Sequence, residues 1–545
     1  MTHSAASSLS LPAGTPGSLR MRNNALPRFS RVAAIAAVFL TLAPVAAAQT
    51  PRSAYEELQT FSGVLNYIRI NYPDSVGYSE LVAAAIRGVL HSLDPHSRFV
   101  SRVEFERQNA LERGELFTVG VSLEDVEGAA TVVAVAPRSP AAKGGLLPGD
   151  RVVTLNDTSV AGLGTETLEL RLAGERGSKV RLRLERGPRL EPDTFSVTLK
   201  RGPFEVKSVS IVRMVDATTG YVRLEDFMGK AAAEMHEALK KLYGMGANAV
   251  ILDLRGNPGG VVTYAVDIAS EFFPKNTVVF RTRGRKRDVD TTYVTKRDGE
   301  FRLLPIIVLI DERSASAAEA LAGSLQDHDR ALLVGRRSFG KALMQSVFFL
   351  SSGDYIWLTI GRVITPSGRF IQRRYRGIGY DQYLSFAGRS GAEEDTSTIF
   401  KTDAGREVRG GGGIAPDVVV PIVAPLPVWW SAAADSGLDD AVSDSVAHTL
   451  GATPAARAAW LNAATEWRAK LVPPFLARVR SRLGVAAVTD SLLEQRLARI
   501  LAARVADVRW GPDAREEFIV RNDATIRAAF DRFSRLKELL APAPQ

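Results

Sequence analysis

Ser316 and Lys341 are the two residues whose types and positions could carry covalent chemistry. Ser316 opens an alanine-rich helical segment directly after the apolar run LPIIVLID, and Lys341 follows the next apolar run and a turn that contains glycine. A serine needs a base before it can attack a carbonyl carbon. A buried lysine can be that base, because desolvation lowers its pKa from about 10.4 by as much as about 3 to 5 units. Backbone amides at a helix start can then stabilise an oxyanion.

Both residues also have a simpler interpretation. The tetrad Ser316-Ala317-Ala318-Glu319 fits a capping box, in which the serine and the glutamate only begin the helix. A lysine in a turn is ordinarily a solvated surface residue. The tetrad alone favours the capping box, and only the small neighbouring residues and the preceding strand favour an accessible, reactive hydroxyl. The nearest histidine, His328, lies further along the helix, and no complete Ser-His-Asp order is recognisable.

The segment 203–423 alternates strands and helices and is predicted to be a layered α/β core. NAVILDL, LPIIVLID and ALLVG contain continuous apolar runs, which are typical of strands covered on both faces. Ligands of such sheets lie beyond the carboxyl ends of strands, so the loops RGNPGG and DERSAS are the predicted site. Helical faces are predicted at Met235, Leu239 and Leu242, and at Ala265, Ile268, Ala269 and Phe272.

Short strands are predicted in the segment 114–202. AATVVAVA is typical of a buried strand, and KVRLRLER alternates apolar and basic residues as a half-buried strand does. A short helix is predicted near Glu166. SPAAKGGLLPGD resembles the middle of a PDZ domain, and FTVGV resembles its carboxylate-binding loop. The alternative is a generic small β module whose glycines only make turns.

The PDZ resemblance implies a ligand. In such domains the backbone amides of the loop hold the terminal carboxylate of a peptide, which adds as a strand to the sheet edge. The corresponding loop residues here are Thr118, Val119, Gly120 and Val121. The expected partners are therefore proteins or peptides with free C-termini.

Helices are predicted in both terminal regions, 53–113 and 429–545. In the first, the turn LDPHSRF ends a helix, and His96 in that turn is interpreted as structural because it has no partner at metal-binding spacing. The apolar positions of the helix before this turn are Val82, Ile86, Val89 and Leu90, and its predicted N-cap is Ser79. In the second region, acids interleave with basic residues. This favours a cap on the core or a homodimer interface with the N-terminal helices over a membrane-surface helix.

Residues 1–48 are predicted to be a signal peptide. Arginines precede the apolar run from Val32 to Val45, and three alanines ending at Ala48 supply the small residues that a signal peptidase needs. The run is shorter than the about 20 residues that span a bilayer, which disfavours a retained anchor. We therefore expect cleavage after Ala48 and an exported, periplasmic protein, with Met1 or Met21 as the initiator.

The composition excludes several classes of function. The chain is 46% hydrophobic and 24% charged, as folded proteins are. Its net charge of +9 is spread along the chain, and the densest cluster, RTRGRKR, has no interleaved aromatic residue, so we expect a solvated loop and no nucleic-acid partner. The chain has no cysteine, which excludes thiol nucleophiles and disulfides. No metal-ligand cluster or phosphate loop is recognisable, so no cofactor and no metal are expected.

The segment SASAAEALAGSLQDHDRALLVGRRSFGKALMQ resembles the active-site block of the carboxyl-terminal processing peptidases, or tail-specific proteases, exported serine peptidases with a Ser-Lys dyad. SELVAAAIRGVLHSLDPHSRF resembles their helical lead-in, ILDLRGNPGG the strand and loop beside the active site, and TPSGR with GREVRGGGGIAPDV the closing strands. The resemblance covers roughly residues 55–421, in the family's order of domains. It implies a multidomain α/β fold in which a PDZ domain and a ClpP/crotonase-like core lie between helical ends.

The resemblance also implies residue roles. Ser316 is the nucleophile, Lys341 is the base, and Gln345 positions the lysine. Ala318 stands where the family usually has a serine, and Ala342 where it usually has a glycine. Neither departure removes a reacting group, but Ala342 could shift the turn that aims the lysine.

The oxyanion hole is predicted to consist of the backbone amides of Ala317 and of the Gly259-Gly260 turn. Glycines there allow a substrate to approach closely. A tight turn that needs positive φ explains the same glycines equally well.

Three functions remain open at this point. The leading one is an ATP-independent endopeptidase that captures C-terminal tails, cleaves them through an acyl-enzyme and works with or without adaptor proteins. The second is a catalytically inactive tail-binding adaptor. The third is an acyl-CoA hydrolase or hydratase on a similar core, against which export and a PDZ domain count.

Overall fold

A computed structural model describes residues 53–540 of the 545-residue chain, apart from short internal gaps. The gaps are residues 113–116, 127–128, 136–138, 148, 162, 164, 188–191, 203–206, 380–382, 384–397, 422–425, 428 and 487–488. The chain divides between Val82 and Ala83 into two compact units. The predicted signal peptide lies outside the described residues.

Two helices, α1 (Ala54–Asn71) and α2 (Tyr78–Leu93), begin the described chain. A capping box starts α1, with Ser53 N–H donating to Glu56 Oε2 at 2.8 Å. The N-cap prediction for Ser79 is wrong, because α2 already begins at Tyr78 and Ser79 lies in its first turn. The predicted apolar positions of α2 are mostly exposed or half-buried, and only Leu90 is buried.

The predicted PDZ segment folds into one antiparallel sheet with strand order β2-β3-β4-β6-β7 and the short β5 paired with β4. β6 alternates as predicted, and the apolar side chains of Val180, Leu182 and Leu184 are all buried. The elements up to the end of this sheet are β1 (Arg98–Val100), α3 (Arg102–Glu112), β2 (Val121–Val126), β3 (Ala129–Val135), α4 (Pro140–Lys143), β4 (Arg151–Leu155), β5 (Thr158–Ser159), α5 (Thr165–Leu172), β6 (Lys179–Arg186) and β7 (Asp193–Lys200).

A six-stranded sheet of order β19-β14-β13-β10-β9-β8 forms the core, and only β8 is antiparallel to its neighbour. The three predicted apolar strands, β10, β13 and β14, are buried at every residue. The core elements are β8 (Val209–Met214), β9 (Thr219–Leu224), α6 (Ala231–Gly244), β10 (Ala249–Asp253), α7 (Val262–Ala269), β11 (Val278–Gly284), β12 (Thr292–Val294), β13 (Ile306–Ile310), α8 (Ala317–Asp327), β14 (Ala331–Gly335), β15 (Leu343–Phe349), β16 (Tyr355–Ile364), β17 (Ile399–Lys401), β18 (Glu407–Arg409) and β19 (Val418–Val419).

The sheet packs on both faces. Alternate residues of β13 point to one face, where Ile306 and Val308 join a cluster with α6, α7 and α8. Ile307 and Leu309 point to the other face, where they contact residues from the C-terminal helices. α7 ends at Ala269, so Phe272 packs in the core but lies beyond the helix in which it was predicted.

A second, antiparallel sheet has the order β1-β16-β11-β12, and β15 also pairs with β16. The solvated-loop prediction for RTRGRKR is wrong for its first half, because Arg281, Thr282 and Arg283 belong to β11. β1 brings the N-terminal turn LDPHSRF to this sheet, where Arg98 pairs with Trp357. This pairing places the turn beside the segment that leads to Lys341.

The C-terminal region is helical, as predicted, and its last helices cap the core sheet. Val520, Ile526, Ala529 and Leu536 share a buried cluster with the strands. No helix within the described ranges is long and apolar enough to cross a bilayer. The helices are α9 (Trp429–Asp435), α10 (Leu438–Ala447), α11 (Pro454–Asn462), α12 (Ala464–Leu483), α13 (Ser491–Trp510), α14 (Pro512–Asn522), α15 (Ala524–Phe530) and α16 (Phe533–Leu540).

Candidate active site

Ser316 begins α8 in an unusual backbone conformation. Its φ is 56° and its ψ is −114°, whereas an ordinary N-cap residue is extended. Positive φ is unfavourable for a residue with a Cβ, and such residues cluster at functional sites. The surrounding loops hold it there: Ser314 Oγ donates to Leu254 O at 2.7 Å, and Ala315 N–H donates to Asn257 O at 2.9 Å. The loops after β10 and β13, both predicted as the site, therefore support each other.

Glu319 connects the helix of Ser316 to the turn of Lys341. Its buried carboxylate accepts hydrogen bonds from Ser316 N–H at 2.9 Å, Lys341 N–H at 2.8 Å and Gly340 N–H at 2.6 Å. The Ser338 hydroxyl also donates to it. The capping-box interpretation therefore explains only one of these hydrogen bonds, the one from Ser316 N–H. The other donors belong to the lysine turn, so one carboxylate fixes both candidate catalytic backbones.

Burial raises the pKa of Glu319 to about 7, although four hydrogen bonds act in the opposite direction. Between its ordinary pKa of 4.5 and about 7, the folded protein binds a proton that the unfolded chain has released. Protonated Glu319 therefore contributes to the free energy of unfolding at low pH. This contribution falls by about 3 kcal/mol as the pH rises from 4.5 to about 7.

Replacing Glu319 by glutamine tests this linkage, because the amide mimics the protonated acid. We expect the melting temperature of the wild type, relative to Glu319→Gln, to fall between pH 5 and pH 8. Peptidase kcat should fall about 10-fold, since an NH₂ group now faces backbone donors. Thermal melts across pH check the first effect and initial rates the second. Glu300→Gln, at an exposed position of the same domain, is the control; a Tm difference that does not vary with pH would contradict the linkage.

Lys341 is mostly buried in the turn between β14 and β15. Burial lowers the pKa of its amine, and the positive charge of Arg98 lowers it further, while Glu319 and Asp94 act in the opposite direction. The net lowering increases the fraction of neutral amine near neutral pH, which a general base requires.

The turn LDPHSRF is a neighbour of Lys341 that the sequence analysis did not assign to the site. Asp94 Oδ1 accepts from the backbone amides of His96 and Ser97, both at 2.8 Å. His96 Nε2 lies 2.9 Å from Tyr383 Oη, so the structural interpretation of His96 agrees with its contacts. Burial and the charge of Lys341 lower the pKa of His96 to about 3. Its imidazole is therefore neutral and adds no second positive charge beside the lysine.

Ser316 and Lys341 line one cavity of about 590 Å³. Within the described residues no direct hydrogen bond joins Ser316 Oγ to Lys341 Nζ. Gly259, Gly260 and Gln345 line the same cavity. Its apolar walls are formed by Met228, Phe280, Leu343, Met344, Trp357 and Ile371. The structure therefore brings the predicted catalytic residues to one apolar cleft, in which the hydroxyl and the amine are not hydrogen-bonded to each other.

Gln345 lies in this cleft but is not hydrogen-bonded to Lys341 in the described structure. Its Nε2 donates to Leu343 O at 3.0 Å and to Thr359 Oγ1 at 3.3 Å. The role predicted for Gln345, positioning the lysine, stays a prediction.

The backbone after Lys341 is held by a residue that the sequence analysis missed. Ala342 N–H donates to Gln372 Oε1 at 2.8 Å, and the Gln372 amide also contacts Tyr383 Oη. Ala342 is buried and does not have positive φ. A side chain at this position is therefore accommodated without backbone strain, although the family resemblance predicts glycine.

The glycine turn lies against Ser316. Gly259 has φ 98°, and a Cβ there would come within 2.7 Å of Ala315 O and 2.9 Å of Ala317 N. Gly260 has φ 143°, and its Cβ would lie 2.5 Å from Phe227 O. Both glycines are thus required for the turn and for its close approach to the serine loop.

The two glycine amides differ in availability. Gly259 N–H already donates to Asn257 Oδ1 at 2.8 Å. The amides of Gly260 and Ala317 have no hydrogen-bond acceptor among the described residues. Of the three predicted donors, these two are therefore available to an oxyanion.

Two other kinds of catalytic group were considered, a histidine base and a metal site. The histidine lies away from Ser316, and no metal site is found in the described residues. His328 caps the opposite end of α8, with Nδ1 2.6 Å from Asp403 Oδ2. No group of three or more His, Asp or Glu side chains that could hold a metal occurs in the described parts of the chain.

The predicted carboxylate loop leads into β2. Gly120 has φ 82°, which favours glycine, and Val119 is buried with its carbonyl accepting from Ala141 N–H at 2.9 Å. Thr118 precedes them, and Val121 is the first residue of β2. β2 is an edge strand of its sheet, and α5 lies beside it. An edge strand next to a helix is the arrangement in which a peptide can add to the sheet.

Comparisons with known proteins agree with this architecture. Residues 218–384 match peptidase family S41, and residues 118–199 match the PDZ domain. The carboxy-terminal-processing protease of Bartonella bacilliformis is 31% identical over 354 residues, which cover 63% of this chain and 80% of that protein. The carboxyl-terminal-processing protease of Synechocystis is 32% identical over 296 residues, covering 53% and 68%.

A solved structure, the photosystem II D1 C-terminal processing protease, is 25% identical, with coverage of 67% of this chain and 88% of that one and a TM-score of 0.39. The comparisons give no support to the acyl-CoA alternative. The Bartonella and Synechocystis proteases and the two domain matches lead to one assignment: this chain belongs to the carboxyl-terminal processing proteases of peptidase family S41, serine-type peptidases that here carry a PDZ domain.

Proposed function

We propose that this peptidase captures the C-terminal tails of proteins through its PDZ domain and cleaves them with Ser316 as nucleophile and Lys341 as base. The observation that carries the proposal is the pairing, in one apolar cleft, of a serine in a strained conformation with a mostly buried lysine whose pKa is lowered. The strain of Ser316 is maintained by surrounding hydrogen bonds, as expected of a preorganised nucleophile.

Acylation begins when Ser316 Oγ attacks the carbonyl carbon of the scissile peptide bond and its proton passes to the neutral Lys341 amine. The carbonyl oxygen becomes an oxyanion, which the Gly260 and Ala317 amides stabilise. The lysine ammonium then gives its proton to the leaving amine, and the C–N bond breaks. Water, deprotonated by Lys341, hydrolyses the resulting serine ester and regenerates the hydroxyl.

The hydrogen bond between Ser316 Oγ and Lys341 Nζ is proposed to form when substrate fills the cleft. Catalytic hydrogen bonds are often long in free enzymes and tighten in the substrate complex. A four-carbon side chain in a turn can make this adjustment by changing rotamers. Gln345, whose amide lies in the same cleft, is proposed to limit those rotamers.

Substrates with blocked C-termini test tail capture. An unfolded substrate ending in a free carboxylate should be cleaved with a KM about 10-fold lower than the same substrate ending in a carboxamide, because only the carboxylate makes charge-assisted bonds to the loop amides. The kcat should not change, since the blocked group lies away from the scissile bond. Fragment mass spectrometry and initial rates provide the readout. Equal KM values for both substrates would exclude a role for the terminal carboxylate.

We further propose that the protein is exported to the periplasm and that its mature form begins at Gln49. The support is the sequence pattern of residues 1–48, which lie outside the described structure. N-terminal sequencing of protein recovered from a periplasmic fraction tests this.

A homodimer through α1 is also proposed, because the apolar side chains Tyr55, Leu58, Tyr67 and Ile70 on this helix are exposed. Adaptor proteins are proposed as further partners.

A further inference from the structure

The PDZ groove contains a carboxylate that blocks part of its own binding edge. We propose that Glu169 makes the groove select tails with a lysine or arginine at the third residue from the C-terminus. This inference rests on the proposed tail capture and specifies which tails are captured. It is carried by the hydrogen bond from Leu123 N–H to Glu169 Oε1, which measures 2.6 Å.

Leu123 lies on the strand edge that a bound tail would use. β2 pairs with β3 on one side only and is the edge strand of the sheet. The N–H of Leu123 points away from β3, because it donates to a side chain from α5. A tail that adds to β2 needs this amide for one of its own carbonyl groups. Glu169 therefore competes with the tail for the same donor.

The packing of α5 holds Glu169 at this position. Leu168 and Leu172 of α5 are buried in the same cluster as the Leu123 side chain. These contacts fix the helix against β2, so that Glu169, which follows Leu168, projects to the strand edge. The carboxylate is half-buried there, and a tail must displace it before pairing with Leu123.

Strand register identifies the tail residue that meets Glu169. The terminal carboxylate is placed at the loop that ends at Val121, the start of β2. In an antiparallel pair, alternate residues of one strand face the partner, so Leu123, two residues along, lies opposite the third residue from the tail's end. Directly opposite residues project to the same face of a sheet. The side chain of that tail residue therefore points, like Leu123, towards α5 and Glu169.

The charge of that side chain then decides the cost of displacing Glu169. A lysine or arginine offers a charge-assisted hydrogen bond that replaces the lost amide. An alanine leaves the half-buried carboxylate without its amide donor, and an acidic residue adds repulsion. We expect tails with arginine at this position to bind at least about 10-fold more tightly than tails with glutamate, and tails with alanine to bind with intermediate affinity.

Binding of labelled peptides to the full chain carrying Ser316→Ala, which prevents cleavage, tests the proposal. Three fluorescein-labelled decapeptides differ only in the third residue from the end, which is arginine, alanine or glutamate, and anisotropy gives their Kd values. Glu169→Gln should reduce the difference between arginine and glutamate peptides to less than about 2-fold. Glu169→Ala should bind the alanine peptide more tightly than the parent chain does, because the Leu123 amide is then free.

Asp157→Asn is the matched control. It removes the same charge from an exposed turn of the same domain, where φ is 64° and asparagine is well tolerated. It should preserve the order of the three peptides. Equal Kd values for all three peptides would overturn the proposal while leaving tail capture intact. So would a Glu169→Gln variant that melts like the parent and keeps the parent's full ratio between the Kd values of the glutamate and arginine peptides. If none of the three peptides binds, tail capture itself is wrong and the inference falls with it.

Discussion

Replacing Lys341 by alanine should reduce kcat/KM by at least about 10³-fold, because the other titratable side chain among the described cleft residues, Glu319, already accepts four hydrogen bonds from backbone amides and the Ser338 hydroxyl. The KM should change little, since the amine does not hold the tail. Lys341→Arg should be equally inactive, because a guanidinium remains protonated and cannot act as a base. Initial rates on an unfolded protein substrate, with fragments identified by mass spectrometry, measure both effects.

The control for this experiment is Lys275→Ala, which removes an exposed lysine from the same domain and should keep full activity. Thermal melts should show that Lys341→Ala remains folded, since removing a buried neutral amine does not leave an unpaired charge, whereas Lys341→Arg should melt at a lower temperature because its guanidinium stays charged in a mostly buried site. If Lys341→Ala keeps more than a tenth of the wild-type rate, another group must activate the serine.

Gly259→Ala should lower kcat by about 10²-fold to 10³-fold, the effect expected when an oxyanion hole is distorted. The added Cβ would lie 2.7 Å from Ala315 O and 2.9 Å from Ala317 N, both of which are backbone atoms of the serine loop. These atoms must move, and with them the amide of Ala317. The φ of 98° adds strain for any residue with a Cβ.

Gly353→Ala separates this crowding from backbone strain. Gly353 also has positive φ, 88°, but a Cβ there would meet nothing within 4 Å. This variant should lose a little stability and no activity. A Gly259→Ala enzyme with wild-type kcat would show that the glycine turn is needed for neither the oxyanion nor the nucleophile loop.

Much of the core was predictable because its signals are local. The strands β10, β13 and β14 are apolar at every position except Asp253, the last residue of β10, which is the direct consequence of burial on both faces. The position of Ser316 at the start of α8 followed from the strand that precedes it and the alanines that follow. The PDZ sheet followed from alternation, most clearly in β6.

The contacts that complete the site could not be read from the sequence, because they join distant segments. Glu319 looks like an ordinary capping residue, and nothing local shows that it also binds the backbone of Lys341. The turn containing His96 reaches the lysine only because β1 pairs with β16. Glu169 likewise meets Leu123 through tertiary packing. The error at Ser79 is of a different kind, since helix boundaries are weakly specified by local sequence.

The pH dependence of covalent labelling of Ser316 decides whether a neutral Lys341 amine activates this serine. A fluorophosphonate reacts with an activated serine, and intact-mass spectrometry gives the labelling rate without a substrate-binding or deacylation step. We expect a rate that rises with pH through an apparent pKa below the 10.4 of free lysine, one label per wild-type chain, and none in Ser316→Ala or Lys341→Ala. Labelling of Lys341→Ala at the wild-type rate would contradict activation of the serine by a neutral lysine.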